Sequence, residues 1–402
     1  MNVMRDIPGG LLAPKGWSAA ATRANIKGSG GDKLDLGLLV SDTGCAAAGV
    51  FTQNQLRAAP VRWCQRLLPA ADVRAVVANS GNANACTGEQ GFRDASDMAS
   101  LTASALAVEP RQVLVASTGV IGVPLPMDRL REGMKALRLG SDGDAFNDAI
   151  MTTDTRRKQA SVAVEIGGRE VRFGGVAKGA GMIHPHMATM LCFITSDAAV
   201  DVEVLPNVVM HAADLSFNML TVDGDTSTND MLVVLCNGIA GNPPVRAGTP
   251  EAELLGQAIE SVALSLGRQL AADGEGASKS LDVRVTGAYS DADARQAARA
   301  VAASNLVKCA VYGNDPNWGR VFMALGNTSV RLEESRIGLS INGMRLVAGG
   351  VATAFDARAA SQAMKASLVT IDLDLGLGSG QATAFGCDMT PDYVTFNADY
   401  TT

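Results

Sequence analysis

Three histidines, His184, His186 and His211, are the only imidazoles in the chain that could serve as general bases. No HExxH, GxSxG or Walker pattern accompanies them, which disfavours zinc proteases, α/β-hydrolases and P-loop enzymes. His184 and His186 flank Pro185, but with no third ligand nearby they read as ordinary loop histidines and no metal is expected. A hydroxyl nucleophile without an imidazole needs another base, and an N-terminal Thr carries one in its own α-amine, which titrates near 7.7–8. Such a Thr must be uncovered by cleavage. The run Met187-Ala188-Thr189-Met190 has suitable chemistry. Thr189 Oγ attacks the Ala188 carbonyl, the peptide shifts to an ester, and water frees the new terminus. Ala188 is small, and Gly179 and Gly181 permit an unusual loop path into the cut. On spacing alone a structural Thr opening a strand remains the commoner case.

The elements around this run must hold it. Residues 190–195 are strand-like, and an expected hairpin turns at Ile166-Gly167-Gly168-Arg169 between two alternating runs just before it. Upstream, residues 38–40 and 49–51 read as short strands, and Ala75–Ala78 as a buried strand leading into the loop Asn79–Gly88. A helix is expected over 92–106, and a strand at 113–116 ends on Ser117-Thr118-Gly119. Helices follow at 127–137 and 144–151. Beyond the cut, helices at about 205–217, 251–272 and 292–303 alternate with strands at 231–235, 282–285 and 337–341. The class is α/β, and the pattern continues on both sides of residue 188, so a cut there falls inside a folded unit.

Composition narrows the partners. Hydrophobic residues make up 47% of 402, enough for a large core and two or three domain-sized units. The net charge of −7 and the absence of a Lys/Arg cluster argue against nucleic acid or an anionic membrane. The first residues do not form a secretory signal, and no apolar run is long enough to span a bilayer. Seven scattered cysteines without CxxC spacing fit a reduced, cytoplasmic protein with buried thiols.

The segment KGAGMIHPHMATML, Lys178 to Leu191, resembles the self-cleavage segment of the ornithine acetyltransferase (glutamate N-acetyltransferase) family. Six other blocks agree in order: NSGNANACTG from Asn79, STGVIGVPLP from Ser117, MTTDT from Met151, DGDTSTND from Asp223, GNDPNWGR from Gly313, and NADYTT from Asn397. The resemblance covers essentially the whole chain. It implies stacked mixed β-sheets between helical layers, with a smaller C-terminal α/β lobe over about 280–402. It implies an α chain of residues 1–188 and a β chain of residues 189–402, assembled as a heterotetramer of two each. Thr189 would be the nucleophile, and Thr118 and Gly119 the oxyanion hole. Thr152, Lys178, Glu275, Asn397 and Thr402 would join Thr189 in binding substrate.

These roles suit amino-acid substrates. Lys178 offers a cation to a carboxylate, and Glu275 an anion to an ammonium such as that of ornithine. Thr402, as the last residue, would bring its terminal carboxylate to the site. The implied reaction moves acetyl from N2-acetyl-L-ornithine to L-glutamate through an acetyl-Thr189 ester, in arginine biosynthesis and without a cofactor. Acetyl-CoA as an alternative donor stays open. So do an amidase or aminopeptidase on the same plan and a non-catalytic amino-acid-binding protein.

Overall fold

The computed structural model describes residues 4–184 and 190–399. Ala188, Thr189, Thr402 and His186 therefore lie outside the described residues. Among the described residues there are two β-sheets. The larger has nine strands, ordered from one edge as Arg5–Asp6, Lys158–Ile166, Arg169–Lys178, Leu191–Ser196, Met231–Cys236, Leu36–Phe51, Ala70–Asn79 and Val113–Ser117, with Trp17–Thr22 paired to the long strand. Leu191–Ser196 runs parallel to Met231–Cys236, and Ala70–Asn79 parallel to Val113–Ser117, while the other pairs are antiparallel. The smaller sheet is built mostly from strands between Ser280 and Cys387, but its edge strand is Leu220–Thr221, which ties the C-terminal lobe to the middle of the chain.

Leu191–Ser196 lies in the interior of the larger sheet, and all six of its residues are buried. Its side chains alternate between two cores. Cys192 and Ile194 join the cluster that reaches the second sheet, whereas Leu191 and Phe193 join a cluster on the opposite face. A strand covered on both faces reads as a continuous apolar run rather than an alternating one, which is the pattern seen here. Each such Leu, Ile or Phe contributes about 1.5–3 kcal/mol by leaving water. The start of this strand is thereby fixed by packing as well as by two hydrogen-bonded ladders.

The helix Pro250–Ala272 starts with Thr249 as its cap and Pro250 in its first turn, as helix termini favour. It packs on Lys158–Ile166 and Arg169–Lys178 of the larger sheet and on Gly380–Cys387 of the smaller, so it lies between the two. Gly175 makes the close approach possible, since a Cβ there would stand 2.7 Å from Val262 Cγ1. On the far side, Gly88–Leu106 covers Val113–Ser117 with Ala95, Met98, Ala99 and Ala103 turned inward at helical spacing. The stacked α/β arrangement expected from the sequence is the one observed.

The expected short strands at 38–40 and 49–51 prove to be the ends of one strand of 16 residues, Leu36–Phe51. Its middle, Asp42-Thr43-Gly44, is exposed, and the register shifts between Val40, Cys45 and Ala47. The strand bends there to serve two partners, and its polar middle looks like a break when read as sequence. The hairpin at Gly167-Gly168 is as expected: Ile166 faces Arg169, and both glycines have positive φ, which a tight two-residue turn requires. No helix among the described residues is long and apolar enough to cross a membrane.

Candidate active site

The parallel strands Ala70–Asn79 and Val113–Ser117 end side by side, with Asn79 opposite Ser117. The turns beyond them are held by buried polar side chains. Ser117 Oγ donates to Asn79 Oδ1 at 2.7 Å, and Asn79 Nδ2 donates to the Asn82 carbonyl at 2.9 Å. Asn229 reaches in from another segment, donating to the carbonyls of Ala83 at 2.6 Å and Ser117 at 2.8 Å. The Thr118 N–H is used as well, bonded to the Asn79 carbonyl at 3.0 Å. Its hydroxyl is thus the group Thr118 can aim at a ligand. Gly119 follows at φ +131 against the Gly81–Asn82 peptide, where a Cβ would come within 2.4 Å of the Gly81 carbonyl carbon. Only glycine fits there.

Lys178 ends the strand Arg169–Lys178, opposite Leu191. Its Nζ is buried and donates to Thr118 Oγ1 at 3.2 Å. An ammonium has no lone pair, so the Thr118 oxygen must be the acceptor. The hydroxyl hydrogen of Thr118 is therefore free to point elsewhere.

Behind Lys178 lies a buried charge cluster. Asp154 Oδ1 accepts from Lys158 Nζ at 2.5 Å and from the Gly179 N–H at 2.6 Å, while its Oδ2 accepts the Thr152 N–H at 2.9 Å. Lys158 Nζ also donates to Asp273 Oδ2 at 2.5 Å, and Asp273 takes both the amide and the hydroxyl of Thr155. Burial alone would raise the Asp154 carboxyl, but the ammoniums of Lys178 and Lys158 and the Gly179 N–H outweigh it and hold it at about 2. Burial pushes Lys178 below its ordinary value, Asp154 pulls it back, and Lys158 adds to the lowering.

The remaining expected residues converge on this pocket. Thr118, Gly119, Thr152, Lys178, Glu275 and Asn397 all line one cavity. Glu275 is brought in by its N–H bond to the Ala180 carbonyl at 2.8 Å. Its carboxylate accepts from Asn397 Nδ2 at 3.0 Å, which reaches it from the helix Pro391–Asp399. Glu275 also packs on Gly181, where a Cβ would meet Oε2 at 2.2 Å. Lys33 Nζ donates to the Thr152 carbonyl at 2.8 Å from the outer side. Neither Lys178 nor Glu275 is the solvated surface charge that its residue type alone would suggest.

The chain on either side of residues 185–189 is clamped. Gly179 has φ +146 and Met182 φ +55, the latter an uncommon conformation for a side chain of that kind. Asp223 accepts the N–H groups of Met182 at 2.5 Å and Ile183 at 2.8 Å. On the other side, Met190 donates its N–H to Asp230 at 3.1 Å and accepts from the Met231 N–H at 3.1 Å. His184 Nδ1 lies 3.2 Å from Thr221 Oγ1, and no group of three potential metal ligands occurs among the described residues. His184 is thus a loop histidine with a hydroxyl partner.

Several polar residues in or behind the pocket were not singled out from the sequence. Asp154, Asp223, Asn229 and Asp230 stand in the blocks MTTDT and DGDTSTND, so the signal was present in segments already recognised as distinctive. Lys158 and Asp273 lie outside them and carry no local signal.

Relatives match the chain over its full length. The arginine biosynthesis bifunctional protein ArgJ of Symbiobacterium thermophilum is 51% identical over 402 residues, covering 99% of this chain and 100% of that protein. The protein of the same name from Dehalococcoides mccartyi is 47% identical over 395 residues, with 98% of each covered. A crystal structure of arginine biosynthesis bifunctional protein ArgJ from Bacillus halodurans superposes with a TM-score of 0.51 at 38% identity, and 52% of this chain covers 98% of that one. The ArgJ family model matches residues 18–402, and the chain belongs to that family.

Proposed function

We propose that this chain is an ornithine acetyltransferase of arginine biosynthesis that makes its own nucleophile by cutting between Ala188 and Thr189. The observation that carries this reading is the contact of buried Lys178 with the Thr118 hydroxyl, in a pocket that also holds Gly119, Glu275 and Asn397. It puts an oriented hydroxyl and a cation in a pocket that an anion also lines. That is the complement of an acyl carbonyl next to a carboxylate, with an ammonium at the end of the side chain. The named relatives are arginine biosynthesis proteins. The solved relative's chain is about half as long as this one, as expected of one product of a cut that leaves 188 and 214 residues.

In this reading the neutral α-amine of Thr189 takes the Oγ proton as Oγ adds to the acetyl carbonyl of N2-acetyl-L-ornithine. The Thr118 hydroxyl and the Gly119 N–H stabilise the oxyanion. The bond to the ornithine nitrogen breaks, that nitrogen takes the proton back, and ornithine leaves with its side-chain ammonium released from Glu275. Glutamate's amine then attacks the acetyl-Thr ester, giving N-acetyl-L-glutamate and restoring Oγ–H. Thr152 and Asn397 line the substrate's path, and Thr402 joins them in binding substrate. Acetyl-CoA, as a second donor, would fill the same ester and account for the word bifunctional in the relatives' name. Two α and two β chains form the working assembly.

Intact mass spectrometry with and without N2-acetyl-L-ornithine tests the reading. The expected result is two fragments, split after Ala188, with an acetyl adduct on the second only when donor is present. A single uncut chain, or product that forms at the same rate without an acceptor amine, would overturn the transferase.

A further inference from the structure

Lys178 Nζ and Thr118 Oγ1 meet at 3.2 Å, and both residues are buried. Which of the two donates is decided by charge. An ammonium has three N–H bonds and no lone pair, whereas a neutral amine has two N–H bonds and one lone pair. A hydroxyl can donate or accept, and its hydrogen rotates to suit the partner. Beside an ammonium, Thr118 Oγ1 accepts and its hydrogen turns away. Beside a neutral amine, the hydroxyl can give that hydrogen to the nitrogen lone pair instead. Thr118 Oγ1 donates to no described residue, so no other described group claims the hydrogen. Thr118 lines the cavity, and its N–H is already bonded to Asn79. The hydroxyl is therefore its one group with a choice of direction.

The contact thus has two states, one that presents an oxyanion donor to the cavity and one that withdraws it. We propose that Lys178 is the positioning residue for the Thr118 hydroxyl, turning its hydrogen into the cavity, and that Asp154 keeps Lys178 in the ammonium form that does so. This rests on the transferase reading above, in which that hydroxyl meets the oxyanion. It gives Lys178 a task besides holding a substrate carboxylate.

The surroundings leave the ammonium finely balanced. Burial works against it, and so does the like charge of Lys158. Asp154, Asp230 and Glu275 favour it, Asp154 most strongly. Lys158 is tied between Asp154 and Asp273, and Arg156 approaches Asp273 at 3.7 Å. Lys33, from the outer side, also feels Asp154. Asp154 itself is pinned, because its oxygens accept the N–H groups of Gly179 and Thr152 as well as Lys158 Nζ. The Gly179 bond holds it to the residue that directly follows Lys178. The outcome is an ammonium that gives up its proton more readily than an exposed lysine would. When solvent base removes that proton, the Thr118 hydrogen can swing onto Nζ, and the oxyanion keeps only the Gly119 N–H.

The test is single-turnover acetylation by N2-acetyl-L-ornithine across pH, with the saturating rate and the half-saturating donor concentration read separately. A lysine that only binds a carboxylate shows its deprotonation in the half-saturating concentration and leaves the saturating rate level. A lysine that aims the hydroxyl also lowers the saturating rate, by about 10²-fold, along an alkaline limb below the ordinary lysine value of about 10.4. Thr118→Val has no hydroxyl to turn, so its lowered rate should show no such limb. Asp154→Asn should move the wild-type limb to lower pH by about one unit. Lys158→Gln removes a like charge and should move it to higher pH, an opposition that a merely structural role would not produce. A saturating rate that stays level at alkaline pH, or a limb that persists in Thr118→Val, would overturn the proposal. So would Asp154→Asn and Lys158→Gln shifting the limb in the same direction or not at all. Should those two variants not fold, the wild type and Thr118→Val decide by themselves. A wild type that takes no acetyl group at any pH would overturn the transferase reading, and this proposal with it.

Discussion

Replacing Thr118 by Val removes one hydroxyl while keeping the shape of the side chain. Thr118 is 5% exposed and its N–H is bonded to Asn79, so the turn should survive and the loss should be confined to Oγ1. Two costs follow, and they separate in different assays. Loss of one pre-aimed oxyanion donor lowers kcat by about 10²–10³, or about 3–4 kcal/mol at the transition state. Loss of the acceptor for buried Lys178 Nζ costs about 1.5–3 kcal/mol of stability, since a hydrogen bond to a charged group is being removed without replacement. Single-turnover acetylation followed by intact mass reads the first, and denaturant unfolding of the same preparation reads the second. KM for the acetyl donor should change less than about threefold, because the hydroxyl acts on charge that develops only in the transition state. Thr118→Ser keeps the oxygen and should retain most of the rate. A folded Thr118→Val protein with kcat within threefold of wild type would refute the oxyanion assignment.

The buried charges make a pH prediction. Asp154 is held at about 2 against an ordinary 3.8, so its stabilising contribution is complete above about pH 4 and is lost as pH falls toward 2. Lys178→Met removes one of the two ammoniums that hold Asp154 down, and the contribution, about 2 kcal/mol in wild type, shrinks. The acid unfolding midpoint, followed by far-UV circular dichroism, should therefore move to higher pH, and an unchanged midpoint would count against the cluster. Gly181→Ala places a Cβ 2.2 Å from Glu275 Oε2, and the partly exposed carboxylate should swing out. KM for N2-acetyl-L-ornithine is expected to rise about tenfold, the equivalent of roughly 1.4 kcal/mol, with little change in melting temperature. Cys86 and Cys309 are exposed while the other five thiols are buried, and burial pushes Cys45 and Cys64 up to about 12. A thiol reagent at neutral pH should titrate two groups in the native protein and seven after unfolding.

Much of the fold could be read from local pattern because most elements answer to local causes. The glycine hairpin at Gly167-Gly168, the long helix ending at Ala272 and the apolar strands at 191–196 and 231–236 are all set by residues within themselves. The long strand Leu36–Phe51 was not legible, since its exposed middle is tolerated only because two different partners hold its ends. The site was less legible than the fold. Thr118 and Gly119 follow an apolar strand, where a plain turn is the commoner case, so only the resemblance singled them out. Glu275 and Lys178 carry no local signal either, because their pairing depends on distant segments meeting, Lys178 with Thr118 60 residues away and Glu275 with Asn397 122 residues away, so the resemblance was needed for them too.

The position of the cut within the fold follows from the strength of what surrounds it. A peptide bond broken at the edge of a domain would leave a loose end, and the nucleophile would need ordering in each turnover. Here the chain beyond residue 189 enters a strand bonded on both sides, to Arg169–Lys178 and to Met231–Cys236, with alternate side chains in two cores. The segment before residue 185 is tied by Asp223. Breaking one covalent bond between two such anchors removes almost no packing, so the cut form should melt close to the uncut form of a Thr189→Ala variant. A new terminus made there would leave both anchors in place. A cut form that melted far below Thr189→Ala would show instead that the bond itself had been holding the two anchors together.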